Sequence, residues 1–131
     1  MADSLPTPPV CVMLQSWITR DDLRANRDAI YIFGDNVARE GVRGLAREMR
    51  HEPNAHPISV SWEPFRPFTH ATAPAAIEII TKEFNALIAT QPRIVVLPLN
   101  GIVPEFVDMP DPIRQHLKFC IKRYLRISVT V

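Results

Sequence analysis

One short segment concentrates the side chains that could do chemistry. The sequence FGDNVAREGVRG, residues 33–44, places Asp35 and Asn36 directly after an apolar run and follows them with Gly41 and Gly44. A carboxylate and an amide can hydrogen-bond hydroxyl groups or the edge of a base. Glycines let the backbone approach a ligand closely or adopt a positive φ. Asp and Asn are also ordinary turn residues, and on spacing alone a plain strand-to-helix connection is the more typical interpretation.

No phosphate or metal motif accompanies this segment. The sequence has neither the G-x-x-x-x-G-K-[ST] loop nor the G-x-G-x-x-G dinucleotide fingerprint. Its four histidines and two cysteines show no spacing typical of zinc ligands, so we predict no metal and no cofactor. If the site is catalytic, the simplest reaction is hydrolysis, in which Asp35 orients or activates water and Asn36 helps to bind the substrate. The residues leave both an enzyme and a binding protein open.

The surrounding elements predict an α/β fold. Strands that alternate with helices are typical of a single three-layer domain with a mostly parallel central sheet. Residues 1–9 are predicted to be a flexible N-terminal tail and residues 10–131 the domain. The predicted strands are 10–17, 29–34, 56–62 and 93–98, with 127–131 as a further edge strand. The predicted helices are a short one capped by Thr19, one over about 41–50, one opened by Pro74, and one over 112–126.

The predicted topology gives the glycine-rich segment a position where ligands bind. In open α/β sheets, ligands bind beyond the carboxyl ends of the strands, where loops lead into the N-termini of helices. The unpaired N–H groups and partial positive charge of such N-termini suit phosphate. The turn from Gly34 to Gly44 falls at such a place.

A longer stretch carries a resemblance. The sequence YIFGDNVAREGVRGLAREMRHEPNAHPISV, with IVVLPLNGI further on, resembles a family of short, uncharacterised bacterial and phage proteins with F-G-D-N and E-P-N-A motifs. The layout is remotely similar to the macro domain, an α/β module that binds ADP-ribose and related nucleotides. The resemblance implies a macro-like fold and a nucleotide or ADP-ribose-type ligand at the Gly34–Gly44 turn, which an enzyme would hydrolyse. The ligand-binding residues predicted from the turn and from these motifs are Gly34, Asp35, Asn36, Gly41, Arg43, Gly44, Asn54, Asn100 and Gly101.

The sequence departs from this family in two places. HPISVSW stands where the family has a strand close to G-I-P-T-K, so the lysine is absent. The later loop, glycine-rich in the family, reads LNGIVPEFVDMP with Gly101 as its one glycine. Prolines and Phe106 therefore occupy the segment in which the family's glycines would let the backbone bind a phosphate. The segment 99–110 is for this reason the less well supported half of the predicted site.

Two other surfaces favour an alternative function. The segment SWEPFRPFTH offers Trp62, Phe65 and Phe68 as an interaction patch or as a lid over the site. Basic side chains form two stripes, Arg39, Arg43, Arg47 and Arg50 in the first, and Arg114, Lys118, Lys122 and Arg126 in the second. The alternative is a non-enzymatic phage or bacterial interaction protein that uses the aromatic loop or the basic C-terminal helix. Its partner would be a protein, a second copy of the chain or a nucleic acid.

Composition sets the remaining expectations. The net charge of +1 offers no general attraction to nucleic acid, and no apolar run is long enough to cross a membrane. The N-terminus lacks the features of a signal peptide. Cys11 and Cys120 both lie in apolar patterns and are interpreted as reduced core thiols. We therefore expect a cytoplasmic protein without a membrane partner, in the host cytoplasm if it is phage-encoded.

Overall fold

The computed structural model describes residues 10–41 and 44–131, so the predicted tail, residues 1–9, lies outside the described residues. Five strands form one sheet, in the spatial order β1-β5-β2-β3-β4. The first four in that order are parallel, and β4 is antiparallel to β3. The strands are β1 (Cys11–Gln15), β2 (Ala29–Asn36), β3 (Ala55–Glu63), β4 (Arg66–Pro67) and β5 (Ile94–Pro98).

Three α-helices connect strands, and a fourth follows β5 and is extended by a π-helical turn. The helices are α1 (Arg20–Ala25), α2 (Gly44–Met49), α3 (Ala73–Ala89) and α4 (Asp111–Cys120), and the π-helical turn is Ile121–Leu125. The predicted cap of α1 is confirmed. The Thr19 hydroxyl accepts from the Asp22 N–H, and the Asp22 carboxylate accepts from the Thr19 N–H at 2.8 Å. This reciprocal capping box satisfies two donors that a helix N-terminus leaves unpaired.

Alternate residues of β2 point to opposite faces of the sheet, and each face carries its own core. Ile32 packs with buried side chains of α3 and α4, such as Phe84 and Leu117. Tyr31 and Phe33 pack with residues of α1 and α2, such as Leu23 and Met49. Because both faces are covered, β2 is apolar along most of its length, as its sequence suggested. The α/β fold with a mostly parallel sheet is confirmed.

Three local expectations are wrong. Residues 127–131, predicted as an edge strand, form no strand, although the Val103 N–H donates to the Val131 carbonyl at 3.0 Å. The segment after β3, predicted as a loop, folds back at Pro64 and Phe65 and pairs as β4. Cys11, predicted as a core thiol, is exposed because β1 is an edge strand that no other strand covers on its outer side among the described residues. Within the described ranges, no helix has the length and apolar character needed to cross a membrane.

Candidate functional site

A cavity of about 420 Å³ lies at the carboxyl ends of β2 and β3. Its volume falls within the range of small-molecule sites, roughly 300–1,000 Å³. The position agrees with the place where parallel α/β sheets bind ligands. Its walls come from the end of β2, the following loop, the start of α2, the β3–β4 turn and the segment after β5. The described residues that line it are Gly34, Asp35, Asn36, Glu40, Gly41, Leu45, Ala46, Arg50, Val60, Ser61, Pro64, Phe65, Arg66, Pro67, Pro104, Phe106, Val107 and Asp108.

Two aromatic side chains belong to this wall and are largely open to solvent. Phe65 is 87% exposed and Phe106 is 58% exposed. The neighbouring aromatics of the same loop behave differently, since Phe68 is buried and packs edge-to-face on Trp62 with ring centroids 4.8 Å apart. Of the three aromatics that the sequence offered, the loop therefore presents one, Phe65, at the cavity.

Phe65 also occupies an unfavourable backbone conformation. Its φ is +64°, in the left-handed region, at the second position of the two-residue turn that joins β3 to β4. Pro64 at the first position and a positive φ at the second match a type II turn, where glycine or asparagine is preferred. A bulky residue with positive φ is rare, and such strain clusters at functional sites.

Asp35 makes a buried ion pair. Its carboxylate accepts from Arg50 through two contacts, Nη2 to Oδ1 at 2.6 Å and Nε to Oδ2 at 2.9 Å. Oδ1 also accepts from the Asn36 N–H at 2.8 Å. The hydrogen bond from Arg50 to Asp35 is the main cause of the raised pKa of Arg50. The predicted water-activating carboxylate is therefore engaged in a bidentate pair, and removing it would leave a guanidinium unpaired.

Asn36 and Arg50 shape the loop that forms one wall. The Asn36 amide nitrogen donates to the Glu40 carbonyl at 2.7 Å, and its oxygen accepts from the Glu40 N–H at 3.1 Å. Arg50 donates to the carbonyls of Gly41 at 2.9 Å and Glu40 at 3.1 Å. Asp35, Asn36 and Arg50 thus line the cavity while they hold residues 36–41 in a fixed shape.

A second polar cluster fixes the same loop to α3. Arg39 donates to the Glu83 carboxylate at 2.9 Å and to the Asn36 carbonyl at 3.0 Å. The Glu83 carboxylate also accepts from the Ser59 N–H at 2.7 Å and from the Ser59 hydroxyl. His56 Nε2 lies 2.7 Å from the Glu83 carbonyl, and burial lowers the pKa of that imidazole. These contacts tie the end of β2 to β3 and α3.

The glycines of the site have different roles. A Cβ on Gly34 would overlap the Ile102 carbonyl, so this glycine lets β2 pack closely on the segment after β5. Gly41 lines the cavity with a φ of +106° that favours glycine. Gly101 has a φ of +103°, and a Cβ there would meet the Val131 carbonyl at 2.6 Å. Gly101 and Asn100 are absent from the cavity lining.

The E-P-N-A motif lies at the other end of the sheet. Asn54 precedes β3, whereas the cavity is reached from Ser61 in the same strand, about 20 Å further along at roughly 3.3 Å per residue. The buried Asn54 amide donates to the carbonyls of Leu23, Asn26 and Ala29 at 2.9–3.1 Å. It therefore fastens α1 and the start of β2 to β3.

Glu52 of the same motif joins three arginines. Its carboxylate accepts from Arg20 at 2.7 Å and from Arg27 at 2.8 Å, and Arg24 lies 3.4 Å away. The hydrogen bonds from Arg20 and Arg27 are the main causes that lower the pKa of Glu52 to about 2. In this chain, the motif that resembles the short family therefore holds structural elements together.

Arg43 and Gly44 were also predicted to bind the ligand. Arg43 lies outside the described residues, and Gly44 begins α2. The first predicted basic stripe does not form one free surface, because Arg39 and Arg50 are both ion-paired to carboxylates.

The prediction missed Ser61 as a site residue. Ser61 lines the cavity, is buried, and makes no side-chain hydrogen bond within the described part of the chain. It follows an irregularity in the pairing of β2 and β3, where Asn36 is opposite Ser61 instead of the next residue in register. A polar residue in the alternating segment PISVSW was the available signal.

The family comparison now has its structural context. A model described as "Family of unknown function (DUF7831)" matches residues 13–114, which contain most of the sheet and all of the described cavity lining. The chain belongs to this family. No curated protein and no solved structure matches the chain.

Proposed function

We propose that this chain binds a nucleoside-type ligand in the cavity at the carboxyl ends of β2 and β3. The observation that carries the proposal is Phe65, an aromatic side chain that lines the cavity, is 87% exposed and has a φ of +64°. Because Phe65 is exposed, its ring contributes little hydrophobic free energy to folding. Glycine or asparagine would also suit its backbone conformation better. Phe65 thus presents an aromatic ring at the cavity that a planar ligand can contact.

The cavity walls suit a planar aromatic ring. Besides Phe65 they include Phe106 and the apolar side chains of Leu45, Val60 and Val107. Stacking of a base on an aromatic side chain contributes about 1–3 kcal/mol, whatever the base. We propose that a nucleobase lies among these side chains, with Phe65 as its main stacking partner.

The polar groups favour the sugar of a nucleoside over a phosphate. The Ser61 hydroxyl and the exposed Glu40 and Asp108 carboxylates line the cavity and can hydrogen-bond hydroxyl groups. The described lining has three carboxylates, those of Asp35, Glu40 and Asp108, and two guanidinium groups, those of Arg50 and Arg66. Both guanidinium groups are ion-paired, Arg50 with Asp35 and Arg66 with Glu63. The net negative charge of these described groups disfavours phosphate, so we propose an uncharged nucleoside.

This proposal narrows the nucleotide or ADP-ribose-type ligand that the sequence suggested. The macro-like architecture stays a proposal, supported by a cavity at the carboxyl ends of parallel strands. The phosphate half has less support, because Gly101 packs against Val131 and does not line the cavity. We also propose binding without turnover, since Asp35 is held by Arg50. A cytoplasmic location and a phage origin likewise remain proposals.

A thermal-shift screen with nucleosides, their monophosphates and ADP-ribose tests the ligand class. A ligand at about 100 times its Kd adds about 2.7 kcal/mol of stability, and we expect this from at least one nucleoside and less from its phosphorylated forms. Phe65→Gly should clearly reduce the shift, because one stacking contact is lost. Trp17→Ala, which removes an exposed aromatic that does not line the cavity, serves as the control. The proposal fails if no nucleoside shifts the melting temperature or if Phe65→Gly keeps the full shift.

A further inference from the structure

The cations of α4 and its π-helical turn form no ion pairs with described residues, whereas most of the other described cations do. The α4 basic face comprises Arg114, Lys118, Lys122, Arg123 and Arg126, and none of these five makes an ion pair within the described residues. Of the other nine described arginines and lysines, seven do. The paired ones are Arg20, Arg24, Arg27, Arg39, Arg50, Arg66 and Lys82.

The spacing of this face concentrates positive charge. Arg114, Lys118 and Lys122 recur every fourth residue, so they share one side of the helix at about 6 Å intervals. Like charges at this spacing destabilise a helix slightly. Asp111 is the one acidic residue between residues 111 and 131. The face therefore presents a row of unpaired cations with almost no compensating carboxylate, which is complementary to a chain of phosphates.

A groove of about 300 Å³ runs beside this row and contains an aromatic side chain. It is lined by Gln115, Lys118, Phe119, Lys122, Ser128 and Val129. Phe119 is 58% exposed, and its ring stacks on that of His116 with centroids 6.0 Å apart. Phe119 lies between Lys118 and Lys122 in the sequence, and all three side chains line the groove.

The π-helical turn adds a further feature. Residues Ile121–Leu125 contain Lys122 and Arg123, and the turn ends at Arg126 with a φ of +61°. Single π-helical turns occur frequently at functional sites. The groove shares no lining residue with the cavity proposed for the nucleoside, so the two surfaces can be tested independently.

We propose that the α4 basic face binds single-stranded nucleic acid. Lys118 and Lys122 contact successive phosphates, and Phe119 stacks on a base between them. Non-specific single-strand binding combines these two elements, a positively charged groove and aromatic stacking platforms. An acidic peptide would match the charge but would leave the exposed aromatic unused, and a duplex would keep its bases out of reach of Phe119.

Fluorescence anisotropy with labelled oligonucleotides of about 12 nucleotides, within the length that small single-strand sites cover, tests this proposal. The probes are oligo-dT, oligo-rU, a duplex of equal length and an oligoglutamate peptide. We expect the single strands to bind more tightly than the duplex, with the DNA and RNA arms showing whether the sugar matters. If about four phosphates are neutralised, affinity should fall roughly 50-fold between about 50 mM and about 200 mM salt.

Variants separate the charge from the aromatic contact. Lys118→Glu with Lys122→Glu should abolish single-strand binding, and Phe119→Ala should weaken it roughly five- to 150-fold through the lost stacking. Lys82→Glu on α3 reverses an exposed cation that is already paired with Glu78 and should change nothing. Circular dichroism confirms that each variant is folded.

Three results would overturn the proposal. The first is no anisotropy change with any single strand at about 50 mM salt. The second is binding that survives the double charge reversal. The third is oligoglutamate binding as tight as that of oligo-dT with Phe119→Ala unaffected, which would assign the face to an acidic protein instead.

Discussion

Removal of the Asp35 carboxylate tests whether this residue builds the cavity wall. The Asp35 side chain is fully buried, that of Arg50 is 13% exposed, and two hydrogen bonds join them at 2.6 and 2.9 Å. Deleting one partner of a buried pair leaves the other charge uncompensated and typically costs about 3–5 kcal/mol. A domain of this size is stable by about 5–15 kcal/mol. Asp35→Ala should therefore remove a large part of this stability and clearly lower the melting temperature.

Urea denaturation of a double-mutant cycle measures this pair. The free energy of unfolding is obtained for Asp35→Ala, for Arg50→Ala and for both together, at an unchanged m-value. Because the double variant leaves no unpaired charge, it should cost less than the sum of the single variants by about 1–3 kcal/mol. Lys82→Ala, in the exposed pair with Glu78, is the control and should cost no more than about 0.5 kcal/mol. A cost for Asp35→Ala as small as that of the control would refute the reasoning.

Three further predictions concern stability alone. The arginines around Glu52 lower its pKa from 4.5 to about 2. The ionised carboxylate therefore contributes its full stabilisation above pH 4.5 and loses it as the pH falls to about 2. In acid titrations, the difference in the free energy of unfolding between wild type and Glu52→Gln should shrink over that pH range. Gln91 is exposed, follows the end of α3 and has a φ of +52°. The change Gln91→Gly should raise the free energy of unfolding by about 1 kcal/mol. A lower free energy of unfolding would contradict the assigned conformation. Gly34→Ala should lower the urea midpoint clearly, because its Cβ would overlap the Ile102 carbonyl, whereas an unchanged midpoint would show that the segment after β5 adapts.

Local sequence signals predicted the elements that depend on local interactions. The apolar run of β2 and the Thr19 cap of α1 are each encoded within a few neighbouring residues. The pairing of β4 and the fate of residues 127–131 depend on contacts between distant parts of the chain. Alternation in 127–131 suits a strand, yet the segment packs on the segment after β5 through Val131. Propensity alone cannot show which partner a segment meets.

Four of the residues that the sequence suggested for a ligand site lie at one cavity, but whether this cavity binds a ligand stays a prediction. Gly34, Asp35, Asn36 and Gly41 do line the cavity, because a strand end in a parallel sheet is a reliable location. The side-chain roles depended on long-range partners that the sequence does not reveal. Asp35 meets Arg50 fifteen residues later.

The same limit applies to the E-P-N-A motif and to the aromatic residues. Asn54 fastens α1 and the start of β2, more than 20 residues before it. The role of Phe65 depends on the backbone conformation of one turn, and that of Phe106 on a segment forty residues further on. Neither conformation nor proximity is encoded in the local pattern.

Calorimetric titration of a nucleoside into wild-type protein and into Phe65→Gly tests the central claim most directly. Glycine suits the positive φ of this turn, so the variant should be as stable as wild type or more stable. We predict saturable binding to wild type and a loss of at least about fivefold in affinity for the variant, the lower limit for one lost stacking contact. Equal affinity for both proteins, or no binding of any nucleoside to the wild type, would contradict the account.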